Sequence, residues 1–115
     1  MSDKITFDDY QRRAAETAIY PDRGSVAGVA YTALGLNGEA GEVAEAVKKA
    51  IRDNCGEIDD SRREHIAKEI GDVLWYLAEI ATQTGLSLGS IASANYEKLK
   101  DRQSRGVLKG SGDNR

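Results

Sequence analysis

The residues that staple, interrupt or anchor a chain are scarce in this 115-residue sequence. It holds one cysteine, Cys55, one proline, Pro21, and one histidine, His65, and Phe, Trp and Met occur once each. A lone cysteine has no intramolecular partner, which excludes a disulfide framework and a thiolate metal cluster. No apolar run approaches the roughly 20 residues that span a bilayer. The N-terminus lacks the apolar core of a signal peptide, so the expectation is a cytoplasmic protein. Strong charge of one sign is also missing. A formal net charge of −3 argues against wrapping a nucleic-acid polymer, which wants a basic face. A single nucleotide stays open, because a few local cations or a metal suffice for it.

What is present is helical periodicity. A chain of this length buries roughly 65% of its unfolded surface, enough for one domain with a core. Thr6 caps a first helix with apolar positions Phe7, Tyr10, Ala14 and Ala18, ended by the turn at Pro21. Ser25 opens a long second helix to about Asp53, with the stripe Val29, Ala33, Leu36, Ala40, Val43, Val47 and Ile51. Ser61 and Glu64 form a capping-box pattern for a third helix. Its stripe is Ile66, Ile70, Val73, Leu77, Ile80 and Thr84, and Gly85 is its C-terminal cap. A fourth helix spans about Ser87 to Gln103 with Leu88, Ala92, Tyr96 and Leu99. The expectation is an all-α, four-helix-bundle-like domain over residues 1–105. Residues 106–115 form a Gly-rich tail that either folds over a bound ligand at Gly110-Ser111-Gly112-Asp113 or, the favoured expectation, frays.

At about 100° per residue, Glu39 and Glu42 share a face of the second helix with Gly35 and Ala46. His65, Glu69, Asp72 and Tyr76 form one row on the third. Each acid pair borders the apolar stripe. Two readings stand. Acids on helices are usually solvated, yet packing by the stripes would gather these four, and gathered anions in a partly dry site cost several kcal/mol without protons or a cation. All-oxygen donors with one His favour Mg²⁺ or Mn²⁺ over zinc or copper.

Other residues carry paired readings. Interior glycines Gly28, Gly35, Gly38 and Gly41 cost about 1 kcal/mol each relative to Ala, and serve either close helix packing or room for a base or phosphate. Asn95, Lys98 and Arg102 share a face with Ile91; they suit phosphate oxygens, or else the helix dipole. Lys48 and Lys49 carry the same alternatives. Trp75, off the main stripe, reads as a dimer or interhelix contact ahead of base stacking. Tyr31 and Leu34 also lie off their stripe, and second apolar patches on two helices suggest another subunit. His65 reads as a surface or structural residue.

The segment Gly38-Glu39-Ala40-Gly41-Glu42-Val43-Ala44-Glu45, followed by Lys68-Glu69-Ile70-Gly71-Asp72-Val73-Leu74-Trp75-Tyr76-Leu77, resembles the MazG family of all-α nucleotide pyrophosphohydrolases. The family pattern is ExxE, a spacer, then ExxD; here 26 residues, positions 43 to 68, separate Glu42 from Glu69. Asn95 to Arg102 resembles the family's closing helix. The resemblance covers about Tyr10 to Arg105. It implies that Glu39, Glu42, Glu69 and Asp72 bind Mg²⁺ and carry catalysis. It further implies that Asn95 and Lys98 hold metal or phosphates, with Lys48 and Arg102 as further substrate contacts. The implied reaction releases pyrophosphate from a nucleoside triphosphate, in a homodimer or dimer of dimers. Glu42 and Glu45 are both candidates for the general base. A phosphoribosyl-ATP pyrophosphatase and a non-catalytic helical oligomerisation or regulatory module are the alternatives. A di-iron bundle fits poorly, since it wants Glu-x-x-His on two helices.

Overall fold

The computed structural model describes residues 3–115; the first two positions of the expected domain lie outside them. Four helices follow in order: α1 (Phe7–Ala15), α2 (Val26–Asp53), α3 (Asp60–Gln83) and α4 (Leu88–Ser104). There is no strand among the described residues, and no helix is long and apolar enough to cross a membrane. Each start has a side-chain cap that satisfies an otherwise unpaired N–H. Thr6, Ser25, Asp59 and Ser87 accept from the amides of Asp9, Gly28, Arg62 and Ser90.

Two boundaries differ from expectation. Helix α1 ends at Ala15, well before Pro21. The Thr17 hydroxyl donates to the Ala14 carbonyl at 2.8 Å and accepts the Trp75 indole N–H at 2.8 Å, which turns the chain there. Helix α3 starts from Asp59 and not from Ser61. The Asp59 carboxylate takes both the Arg62 amide and the Arg62 guanidinium, so Asp60 is already helical. At the far end of α3, Gly85 sits at φ +72°, and Leu86 N–H reaches back to Ala81 at 2.8 Å. That is the left-handed C-terminal closure expected of this glycine.

Helices α2 and α3 form an antiparallel pair. Helix α1 lies on α3 and α4, and α4 touches α1 and α3 but not α2. A small core of Ala14, Ala78 and Leu88 is covered by Tyr10, Leu74 and Trp75. The expected packing of α2 on α3 by their apolar stripes does not occur. Val47, Ile51, Ile70 and Leu77 are all exposed, Ile51 at 66% and Ile70 at 54%. The fully buried residues of the two helices are instead small or polar: Gly28, Thr32, Ala46 and Ala50 in α2, and Ala78, Glu79 and Ala81 in α3, of which Ala78 belongs to the core against α1 and α4. The radius of gyration is 17.0 Å, against about 13 Å for a compact domain of this length. One chain is therefore an open arrangement of helices and not a closed bundle.

Small residues let the polar faces meet. A Cβ on Gly35 would overlap the Tyr76 ring, and one on Gly28 would meet the Asp22 carbonyl and the Gln83 side chain. Gly38 and Gly41 face open space, so close packing accounts for two of the four interior glycines. The tail also departs from expectation: instead of fraying, residues 106–115 return along α4 through hydrogen bonds from Arg102, Arg105 and Arg115. Gly35→Ala is expected to lower stability by about 1–3 kcal/mol through overpacking against Tyr76, while Gly38→Ala gains up to about 1 kcal/mol from helix propensity. Urea midpoints of the two variants check the contrast, and equal effects would remove Gly35 from the contact.

Candidate active site

The row His65, Glu69, Asp72, Tyr76 continues at the same spacing through Glu79 and Gln83, and this row is the surface that α3 lays on α2. At one end, Gln83 Nε2 donates to Thr32 Oγ1 at 3.0 Å and to the Gly28 carbonyl at 3.3 Å. Next, Glu79 is wholly buried. Its Oε1 accepts from Tyr20 Oη at 2.7 Å and Arg23 Nε at 3.3 Å, while Oε2 has no partner among the described residues. These bonds fix the Tyr20–Gly24 turn on the helix pair. Tyr76 then fills the notch at Gly35.

One turn further, Glu39 from α2 meets Glu69 and Asp72 from α3. One carboxylate oxygen from each lies within 4.8 Å of the other two. Glu39 and Glu69 are half-buried and Asp72 is exposed. The only basic side chain paired with the trio among the described residues is the His65 imidazole, whose Nε2 is 3.8 Å from Glu69 Oε1. The Glu39 carboxyl is pushed above the usual range. Lost solvation is the main cause, followed by the negative charges of Asp72, Glu69 and Glu42. Tyr76 is raised by burial, and then by Tyr31, Glu39 and Asp72. Three clustered oxygen donors with too little positive charge fit a hard divalent cation of the Mg²⁺ type. No soft donor stands among them.

Two hollows flank the trio. On one side Glu39, Asp72, Thr17, Trp75 and Tyr76 line a hollow that continues, through Thr17, Trp75 and Tyr76, into one walled by Tyr20, Pro21 and Tyr31. Tyr20 stacks on Tyr31 with centroids 5.3 Å apart, and Trp75 meets Tyr20 and Tyr76 edge-on at 6.1 and 5.1 Å. On the other side Glu42, Glu45, Lys49, Asp53, Ser61, Arg62 and His65 line a cleft of about 430 Å³.

The expected site residues therefore divide. Glu39, Glu69 and Asp72 come together, and Glu42 lies one turn away in the cleft. Lys48 reaches outward to pair with Glu45, and its neighbour Lys49 enters the cleft in its place. Asn95 and Lys98 line a separate hollow on α4 with Ile91 and Ala94. Arg102 is buried under the tail. Sequence reasoning raised Lys49 beside Lys48 as a phosphate partner but missed Arg62, Thr17, Tyr20 and Glu79 as site residues. For Glu79 a signal existed, since it extends the His65 row at the same helical spacing.

Fold and site together define an all-α protein in which two antiparallel helices gather carboxylates beside an aromatic hollow. The chain belongs to the MazG family: the model of the MazG nucleotide pyrophosphohydrolase domain matches residues 29–107. It is 47% identical over 111 residues to the "Gene 37 protein" of Mycobacterium phage L5, covering 94% of this chain and 97% of that protein. It is also 39% identical over 69 residues to the "Uncharacterized protein YvdC" of Bacillus subtilis (strain 168), covering 56% of this chain and 65% of that one. No solved structure matches.

The raised Glu39 carboxyl has a stability consequence. The folded form holds its proton to higher pH than the unfolded form, so this group's contribution falls as pH rises from the ordinary Glu range through the folded value. The lowered carboxyls of Asp8 and Asp59 act in the opposite sense. In EDTA, Glu39→Gln should therefore gain thermal stability relative to the parent as pH rises through that window. Melting curves followed by circular dichroism read the difference, and a difference independent of pH would deny that the Glu39 carboxyl is raised.

Proposed function

We propose that this chain hydrolyses nucleoside triphosphates, deoxynucleoside or non-standard ones among them, to the monophosphate and pyrophosphate, with Mg²⁺ or Mn²⁺ as cofactor. The observation that carries the reading is the trio Glu39, Glu69 and Asp72, set between an aromatic hollow and a cleft that bears Lys49, Arg62 and His65. Family membership supplies the reaction class. The base lies in the hollow beside Trp75, Tyr20 and Tyr76, and the departing β and γ phosphates turn toward the cationic side chains of the cleft. Glu39, Glu69 and Asp72 would hold the metal, with Glu42 at their edge; when bound, such an ion polarises phosphoryl oxygens and offsets their charge.

Water adds to the α phosphorus and the bond to the bridging oxygen breaks, so the electron pair leaves with pyrophosphate. A carboxylate must accept the water's proton. Glu42 suits this better than Glu45, because Glu45 is already paired with Lys48 whereas Glu42 makes no ion pair among the described residues. The exposed apolar residues Val47, Ile51, Ile70 and Leu77 support a homodimer or homotetramer that covers them, acting on the cytoplasmic nucleotide pool. In that assembly Asn95, Lys98 and Arg102 meet the phosphates.

A panel of deoxynucleoside triphosphates with Mg²⁺ should yield pyrophosphate, and EDTA should stop it. Failure on phosphoribosyl-ATP separates this reading from a phosphoribosyl-ATP pyrophosphatase. Glu39→Gln and Asp72→Asn should lose activity by about 10- to 100-fold or more, the loss that even the outer partners of metal ligands produce. Full turnover in either variant would remove that residue from the site. Trp75→Ala should weaken binding by the roughly 1–3 kcal/mol that one base stacked on an aromatic ring contributes, read as a raised KM for nucleotides with no matching change for inorganic tripolyphosphate. A helical module without turnover would show none of these effects.

A further inference from the structure

Residues 106–115 close a loop over the face of α4 that carries Lys98 and Arg102. The Arg102 side chain is only 5% exposed. Its Nη2 donates to the Asp113 carbonyl at 2.9 Å and lies 3.4 Å from Asp113 Oδ1. Lys98 Nζ approaches the same carboxylate oxygen at 3.3 Å. A nine-tenths-buried guanidinium and an ammonium thus converge on one anionic group, a geometry that suits a phosphate as well as a carboxylate. The Asp113 carboxyl is held below the usual range, first by its hydrogen bond to Lys98, so it stays ionised wherever the protein is folded near neutrality.

The loop is held mainly by arginine side chains on backbone carbonyls. Arg115 donates to Val107, Leu108 and Gly112, and Arg105 donates to the Arg115 carbonyl. Little apolar surface is buried: Leu108 is exposed, and Asp113 itself is 83% exposed. The Lys98–Asp113 ion pair is an exposed one, 39% and 83% accessible, and such pairs are weak. A single carboxylate in a loosely held loop is poorly placed against a polyphosphate carrying several charges. Beyond Lys98 the same face continues through Asn95 into an open hollow, so a longer anion has room to extend along the helix.

We propose that Lys98 and Arg102 form a phosphate-binding site that the chain's own Asp113 fills at rest, so that the C-terminal tail competes with the phosphates of the nucleotide. The inference rests on the reading of Lys98 and Arg102 as phosphate contacts, and adds the tail as an internal competitor. The probe is inorganic tripolyphosphate, titrated calorimetrically without divalent ions so that the acid trio repels it. A chain ending at Leu108 keeps the Val107–Arg102 bond that closes α4. That chain and full-length Asp113→Asn should both bind the probe roughly three- to tenfold more tightly, the range expected when about 1 kcal/mol of exposed ion pairing is removed. High salt or Lys98→Gln should erase the difference. Unchanged or weaker binding in both variants overturns the proposal, and weaker binding would make the tail part of the anion site. Tighter binding in a protein that never hydrolyses nucleotides would keep the competitor and remove the enzymatic reading. Mg²⁺-dependent hydrolysis with no effect of either variant on probe affinity would do the reverse.

Discussion

Helix α3 lies on α2 along a strip that holds Glu69, Asp72, Tyr76, Glu79 and Gln83, facing Thr32, Gly35 and Glu39. Such a contact is stable to the extent that its buried polar atoms find a donor or a cation, because an unpaired one costs as much as several apolar contacts gain. Gln83 satisfies itself on Thr32 and Gly28, and Glu79 takes Tyr20 and Arg23. The trio at Glu39 has no comparable supply among the described residues beyond one distant imidazole. That imbalance makes the middle of the seam a place for an added positive charge, while the bonds of Gln83 and of Glu79 Oε1 at its end hold it in position.

The polar seam also dictates what the rest of the surface must be. Turning the acids inward turns the stripes of both helices outward, which is why so many large apolar residues are exposed in one chain and why its radius is well above that of a compact domain. Sites of this kind trade monomer stability for charge density. The apolar surface left over is the natural material of assembly.

Along the seam the chemistry changes in order: aromatic rings, then carboxylates, then a cleft of mixed charge. In the proposed function that order follows the parts of a nucleotide, with an apolar base at one end and the most highly charged phosphates at the other. The tail adds a carboxylate to the one face of α4 where two cations converge. The chain thus carries a small internal anion where its fold offers a place for a larger one.

Helix number and spacing were legible from local periodicity, and so were the end signals Thr6, Ser25 and Gly85, which act within one turn of the backbone they serve, whereas the α3 cap fell at Asp59 and not at Ser61. The Glu39, Glu42, Glu69 and Asp72 pattern was equally plain, being a matter of position along two helices. Periodicity gives the angle of a side chain about its own axis but not which face a neighbour will choose. Only the tertiary structure decided that α2 and α3 meet by their polar faces, through Gly35 under Tyr76 and the bonds of Gln83. It also decided that Lys49 and not Lys48 enters the cleft, that Glu79 anchors the Tyr20 turn, and that Asp113 reaches Lys98 across 14 intervening positions, 99 to 112. Each depends on contacts between residues far apart in the chain, whose choice among faces is settled by the summed fit of all the helices and not by any one of them.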